Sequence, residues 1–142
     1  MPKRHVFHQL YYHFVWSTKD RERLVTADIQ PGLVQFIRDK CTELEARAIE
    51  VNAQSEHVHL LVELLPKHAP AEAIGQVKGA SAYRVNHELS PARRLGWQEG
   101  YGVVTLRKGE LKDAVAYVRD QERRHRERKV SEVLETFEML VG

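Results

Sequence analysis

An antiparallel sheet with helices packed on one of its faces, in the α+β class, is the fold the sequence predicts. Three observations carry the prediction. Segments of period two and period 3.6 alternate as strand, helix, strand, strand, helix, strand. The second and third strands are separated only by Gln54-Ser55, a connection tight enough to make them an antiparallel hairpin. Two more helical segments follow the fourth strand. This order is the split βαβ pattern of a ferredoxin-like sandwich, with two helices on one face of the sheet and further helices at the C-terminal end.

His8 to Ser17 is aromatic and β-branched with interleaved polar residues and reads as the first strand, Tyr12, Phe14 and Trp16 on one face and Tyr11, His13 and Val15 on the other. Asp28 is a candidate N-cap, Pro31 suits a first helical turn, and Leu33, Phe36, Ile37 and Leu44 recur at helical spacing, which predicts a helix from about Ile29 to Ala46. Ala48 to Ala53 alternates as the second strand. The third is Glu56-His57-Val58-His59-Leu60-Leu61-Val62, which ends before Pro66. Pro70 to Glu88 is the second helix, stopped by Ser90-Pro91. Trp97 to Arg107 reads as the fourth strand, with Gly100 and Gly102 marking a bulge or a close backbone approach. Leu111, Ala114, Val115 and Val118 mark a third helix, and a last amphipathic helix is expected from about Val130 to Leu140. With helices on the side that Val58, Leu60 and Val62 face, the side of His57 and His59 is left as an open platform that wants a partner: nucleic acid, a second subunit or another helix.

The 142 residues fit one domain, and 42% hydrophobic with 30% charged residues is ordinary for a chain with a packed core. No apolar run reaches bilayer-spanning length and no charged-then-apolar leader opens the chain, so no membrane partner is expected. The single cysteine, Cys41, fits a reducing cytoplasm. The formal net charge is only +2, but Arg119, Arg123, Arg124, Arg126, Arg128 and Lys129 crowd one segment. Such a cluster suits phosphate contacts, but interleaved with Asp120, Glu122 and Glu127 it reads first, from charge alone, as a solvated helix face.

The chemistry-bearing residues sit on the third strand and the third helix. His57 and His59 are two apart on one strand and so project side by side, which makes half of a divalent-metal site or a pair of core histidines. On the third helix Gln121 lies at the edge of the apolar arc and Tyr117 about 40° from it, one turn apart. A border glutamine can turn a carbonyl oxygen toward a metal, with the tyrosine hydroxyl reaching the same point; an amphipathic tyrosine at a buried boundary is the other reading.

The triplet His57-Val58-His59 within EHVHLLV, the Tyr-x-x-x-Gln of AYVRDQ and the intervening WQEGYG together resemble the single-tyrosine HUH transposases, the TnpA-type enzymes of the insertion-sequence 200/605 family. The resemblance runs from YYHFVWSTK to the third helix, departs at none of the four key positions, and leaves only the final helix unmatched. It implies one transposase domain over 1–142, with a core at about 8–108, a nucleophile helix at about 110–128 and a C-terminal helix at about 130–141. It implies that His57, His59 and Gln121 ligate Mg²⁺ or Mn²⁺ and that Tyr117 is the nucleophile. It further implies a homodimer that cleaves and rejoins single-stranded DNA at hairpin-flanked element ends through a 5′-phosphotyrosine intermediate, with no nucleotide cofactor. Lys78, Arg84, Arg93, Arg94, Arg119, Arg123 and Arg124 then become candidate DNA contacts, and Tyr11, Tyr12, Trp97 and Tyr101 become stacking or core residues. Three alternatives remain at this stage: a related relaxase or replication-initiator nuclease, a domesticated hairpin-binding protein, and an unrelated metal-dependent phosphoesterase.

Overall fold

The computed structural model describes residues 5–89 and 95–121. Arg93, Arg94, Arg123, Arg124 and the helix expected at about 130–141 lie outside the described residues. The elements are β1 (Tyr11–Ser17), α1 (Gln30–Glu43), β2 (Arg47–Ala53), β3 (His57–Glu63), α2 (Pro70–Arg84), β4 (Gly102–Leu106) and α3 (Leu111–Arg119). The sheet runs β2-β3-β1-β4, and every neighbouring pair is antiparallel. This is the predicted split βαβ order, with β3 and β1 in the centre and β2 and β4 at the edges.

Alternation along the strands divides the sheet into two faces. On one, Phe14, Trp16, Val58, Leu60 and Val62 pack with Leu33 and Ile37 of α1 and Ile74 and Val77 of α2 into the main core. Tyr12, Trp97 and Tyr101 pack against that core, and Tyr11 is itself buried. All four candidate stacking aromatics are therefore engaged in packing.

On the opposite face the partner is another helix, one of the three kinds expected. His59 and Leu61 are both 0% exposed, because α3 crosses back over β2 and β3 and covers them. The physical reason lies in α3 itself. A nine-residue helix is too short to be stable alone and must bury its apolar stripe, and Val118, fully buried, is the residue with which it does so.

Element boundaries differ where local chemistry overrides periodicity. The residue before α1 is Ile29, with no side-chain cap; Asp28 instead accepts a hydrogen bond from Thr26, so it is not the N-cap. Pro31 sits in the first turn as expected. Past Arg84, α2 widens into a single π-type turn over Val85–Leu89 rather than continuing as α-helix. The fourth strand starts late. Trp97 forms only an isolated bridge with Thr18, and Gly100 adopts φ 93°, a conformation open to glycine. Lys78 Nζ donates to the Gln98 and Gly100 carbonyls at 3.0 and 2.8 Å and holds this turn against α2. Arg107–Glu110 form a 3-10 turn with its N-cap, so the third helix begins at Leu111. Among the described residues no helix is long and apolar enough to cross a membrane.

Candidate active site

β3 delivers two imidazoles to the face beneath α3. Their ring centroids are 5.2 Å apart at an interplanar angle of 75°, so His57 and His59 are neighbours in space as well as on the strand. A third imidazole joins them from β1. His13 pairs with Leu61 across the β1–β3 ladder, which makes it the diagonal neighbour of His59 and within side-chain reach. The contact is direct: His13 Nε2 and His59 Nδ1 are 2.8 Å apart. On His57, Nδ1 lies 3.5 Å from the Glu56 carboxylate.

α3 brings the tyrosine and the glutamine. The Tyr117 ring stands edge-on to His59 at 5.9 Å between centroids and to His13 at 6.1 Å. Gln121, one turn on and 1% exposed, donates from Nε2 to the Tyr117 carbonyl at 2.9 Å. This bond closes the C-terminal end of α3, where backbone carbonyls otherwise lack partners. Arg119 anchors the helix from its outer side, pairing through Nε with the Glu50 carboxylate on β2. Glu50 follows an irregularity in the β2–β3 register and also receives Arg38 of α1 at 3.3 Å. One carboxylate thus links α1, β2 and α3.

Burial sets the charge state of this cluster. It pushes His13 down to about 4 from an ordinary value of 6.5. His59 is held well below 6.5, first by burial and then by the neighbouring His13 and His57. Both rings are neutral at pH 7, the form in which imidazole binds a metal. Among the described residues His59 Nε2 is buried with no hydrogen-bond partner, an arrangement that costs free energy unless something binds there. No group of three or more His, Cys, Asp or Glu side chains suited to holding a metal occurs among the described residues. The Gln121 amide offers an oxygen donor of another residue type, buried one turn past Tyr117. Two imidazole nitrogens and an amide oxygen suit a divalent cation and leave coordination positions open.

The structure therefore brings together His57, His59 and Tyr117, and adds His13 to them; Gln121 is buried one turn past Tyr117, with its amide nitrogen on the Tyr117 carbonyl, and Arg119 lies between them in the chain. It does not bring Lys78 or Arg84 to them. Both belong to α2, on the opposite side of the sheet. There Lys78 binds carbonyls, while Arg84 pairs with Asp39 and Glu88 and lies 3.9 Å over the Phe36 ring. His13 is the site residue that the sequence reading did not pick out. Its face was legible from alternation, but its contact with His59 depends on β1 pairing with β3, which nothing local in the sequence specifies.

Over residues 6–121 the chain matches the family described as "Transposase IS200 like". It is similar to the ISDra2 transposase TnpA of Deinococcus radiodurans, 27% identical over 119 residues that cover 80% of this chain and 85% of that protein. It also resembles the transposase for insertion sequence element IS200 of Salmonella typhimurium, 26% identical over 106 residues, 71% of this chain and 70% of that protein. Among solved structures, a Deinococcus radiodurans R1 protein described as a transposase superposes with a TM-score of 0.68 at 25% identity, covering 85% of this chain and 97% of that one. A REP-associated tyrosine transposase bound to a REP hairpin shares the fold, with a TM-score of 0.62 at 15% identity over 88% of this chain and 74% of that one.

Proposed function

The chain belongs to the IS200-like transposase family, and we propose that it cleaves and rejoins single-stranded DNA at hairpin-flanked element ends, with Tyr117 as the nucleophile. One observation carries the reading. The tyrosine of α3 stands edge-on beside a buried, neutral histidine whose Nε2 has no hydrogen-bond partner among the described residues.

The chemistry follows from the residue types. The Tyr117 oxygen attacks the phosphorus, its proton is lost, and the bond from phosphorus to the 3′-oxygen breaks, leaving a 5′-phosphotyrosine and a free 3′-hydroxyl. The incoming 3′-hydroxyl of another strand then attacks that phosphorus and releases the tyrosine. Because the covalent link conserves the bond energy, rejoining needs no nucleotide cofactor. His57 and His59, with the Gln121 amide oxygen, would hold Mg²⁺ or Mn²⁺, and the preference for these ions rests on the family resemblance. A divalent ion so held supplies charge stabilisation at the phosphate and at the departing oxygen. Gln121 has a second task, since its amide nitrogen ties down the backbone of Tyr117 itself. Arg119, largely exposed two residues past Tyr117 though paired with Glu50, carries a guanidinium suited to a phosphate contact.

The reading takes residues 1–142 as one catalytic domain, active as a homodimer on hairpin-bearing single strands. Within one chain the Tyr117 ring lies beside His13 and His59, which supports a tyrosine acting on the histidines of its own chain. A domesticated hairpin binder would have no use for this arrangement, and a phosphoesterase would have none for the tyrosine.

The test is incubation with a hairpin-bearing single-stranded oligonucleotide and Mn²⁺, followed by denaturing electrophoresis. A protein–DNA adduct is expected, absent with chelator and absent in His59→Ala. Cleavage that proceeds without any adduct in the wild-type protein would overturn the nucleophile assignment and favour the phosphoesterase. Hairpin binding with no cleavage in Mg²⁺ or Mn²⁺ would favour the binding protein.

A further inference from the structure

The geometry points to His13 as a positioning residue that fixes the tautomer of His59 by accepting a hydrogen bond from its Nδ1. The inference rests on His59 being a metal ligand only for its consequence, not for its test.

The argument begins with the pair of nitrogens at 2.8 Å. Two neutral imidazoles joined through one nitrogen each share a single proton between them, and only two arrangements exist. In the first, His59 Nδ1 carries the proton and donates to His13 Nε2, and His59 Nε2 keeps its lone pair. In the second, His13 Nε2 donates to His59 Nδ1, and the His59 proton sits on Nε2. The second arrangement buries an N–H donor that has no acceptor among the described residues. Leaving such a donor unsatisfied in a site that is 0% exposed is unfavourable. The first leaves a lone pair, which a cation can take up. Burial of the acceptor nitrogen among neutral groups favours a tautomer rather than a charged state.

His57 also turns a ring nitrogen toward a protein group, at the longer distance of 3.5 Å. That nitrogen is again Nδ1, opposite the Glu56 carboxylate. Metal-binding imidazoles are commonly held this way, the distal nitrogen donating to a fixed acceptor. Here the acceptor for His59 is an imidazole, delivered by the neighbouring central strand β1 rather than by a loop. Its diagonal position in the ladder is set by the strand register, Val15 opposite His59 and His13 opposite Leu61. The second ring edge of the pair faces Tyr117, whose centroid lies 6.1 Å from His13. His13 therefore also forms part of the wall against which the tyrosine packs.

The test uses the full-length protein, free of metal, with ¹⁵N-labelled histidine. Long-range ¹H–¹⁵N correlation spectra report the tautomer of each ring. His59 is expected as the Nδ1–H tautomer in the wild type and as a mixture or the Nε2–H form in His13→Phe, which keeps a ring but offers no acceptor. His13→Gln, whose amide oxygen can accept, is expected to restore the Nδ1–H form. Direct titration with Mn²⁺, read by its electron-spin resonance signal, is expected to show affinity weakened about 10- to 100-fold in His13→Phe and recovered in His13→Gln. An Nε2–H tautomer in the metal-free wild type would overturn the inference, as would an unchanged His59 tautomer in a His13→Phe protein whose circular dichroism is native. If His13→Phe fails to fold, the wild-type spectrum and His13→Gln still decide it. A wild type that shows the Nδ1–H tautomer, lost in His13→Phe, yet binds no Mn²⁺ supports the role of His13 and sinks the metal reading of the site instead.

Discussion

Shortening Val118 to alanine should loosen the tyrosine helix without unfolding the sheet. Val118 is the fully buried apolar residue of α3, and the nine residues of that helix would not stay helical undocked. Val118→Ala removes two methyl groups from the contact with the sheet. At about 0.8 kcal/mol per buried carbon the loss is about 1.6 kcal/mol, and a partly filled cavity raises it toward about 2 kcal/mol. Since about 1.4 kcal/mol is a factor of ten, the docked state should be disfavoured roughly 15- to 30-fold. Hydrogen exchange on the native protein reads this locally. Amides of α3 should exchange faster by about that factor, while those of β1 and β3, whose core lies on the other face, should change far less. Single-turnover cleavage should slow only in so far as the undocked state becomes populated. An equal acceleration of exchange in α3 and in the central strands would refute the reasoning, since it would mean α3 is an integral part of the cooperative core. Unchanged α3 exchange would show that Gln121 and the Arg119–Glu50 pair dock the helix without Val118.

Other consequences can be checked separately. Because burial lowers His13 to about 4 from 6.5, the unfolded chain binds more protons between those values, so stability is complete above about pH 6.5 and falls as the pH drops toward 4. The expected loss from this group alone is about 3 kcal/mol by pH 4, and urea midpoints of His13→Gln should decline less steeply than those of the metal-free wild type. Cys41, 1% exposed with its thiol pushed up to about 11 by burial, should react with a thiol reagent at pH 8 only as fast as the protein opens; rapid modification of the native fold would contradict its placement. Leu60→Ala, in the core beneath α1 and α2, should lower stability by about 2–5 kcal/mol in a denaturant titration.

The sheet was readable from the chain because its strands carry strict alternation. Phe14 and Trp16 lie with Val58, Leu60 and Val62 on the face the pattern assigned them. The hairpin at Gln54-Ser55 and the helix order followed from spacing alone. The two histidines, the tyrosine and the glutamine were also visible, because a strand and a helix each fix the relative direction of residues two and four apart. What sequence spacing could not supply was information across elements. Which of the expected partners covers the histidine face was left open, and the return of α3 over β2 and β3 depends on where a short helix finds apolar surface. The His13–His59 contact depends on register between strands 46 residues apart in sequence. Asp28 looked like a helix cap because its residue type suits one, but a neighbouring hydroxyl, Thr26, claimed its carboxylate first. The positive charges were the least legible. Arg84 and Lys78 have the composition of phosphate contacts, yet the fold uses them to hold helix ends and a turn.

The central claim is that the oxygen of Tyr117 becomes bonded to DNA. The most direct measurement is mass spectrometry of the adduct trapped with a hairpin-bearing oligonucleotide, after nuclease digestion and proteolysis. The peptide carrying Tyr117 should gain the mass of a 5′-phosphonucleotide, with fragmentation placing it on the ring oxygen, and Tyr117→Phe should yield no modified peptide. A nucleotide found on another residue, or an adduct that persists in Tyr117→Phe, would contradict the account.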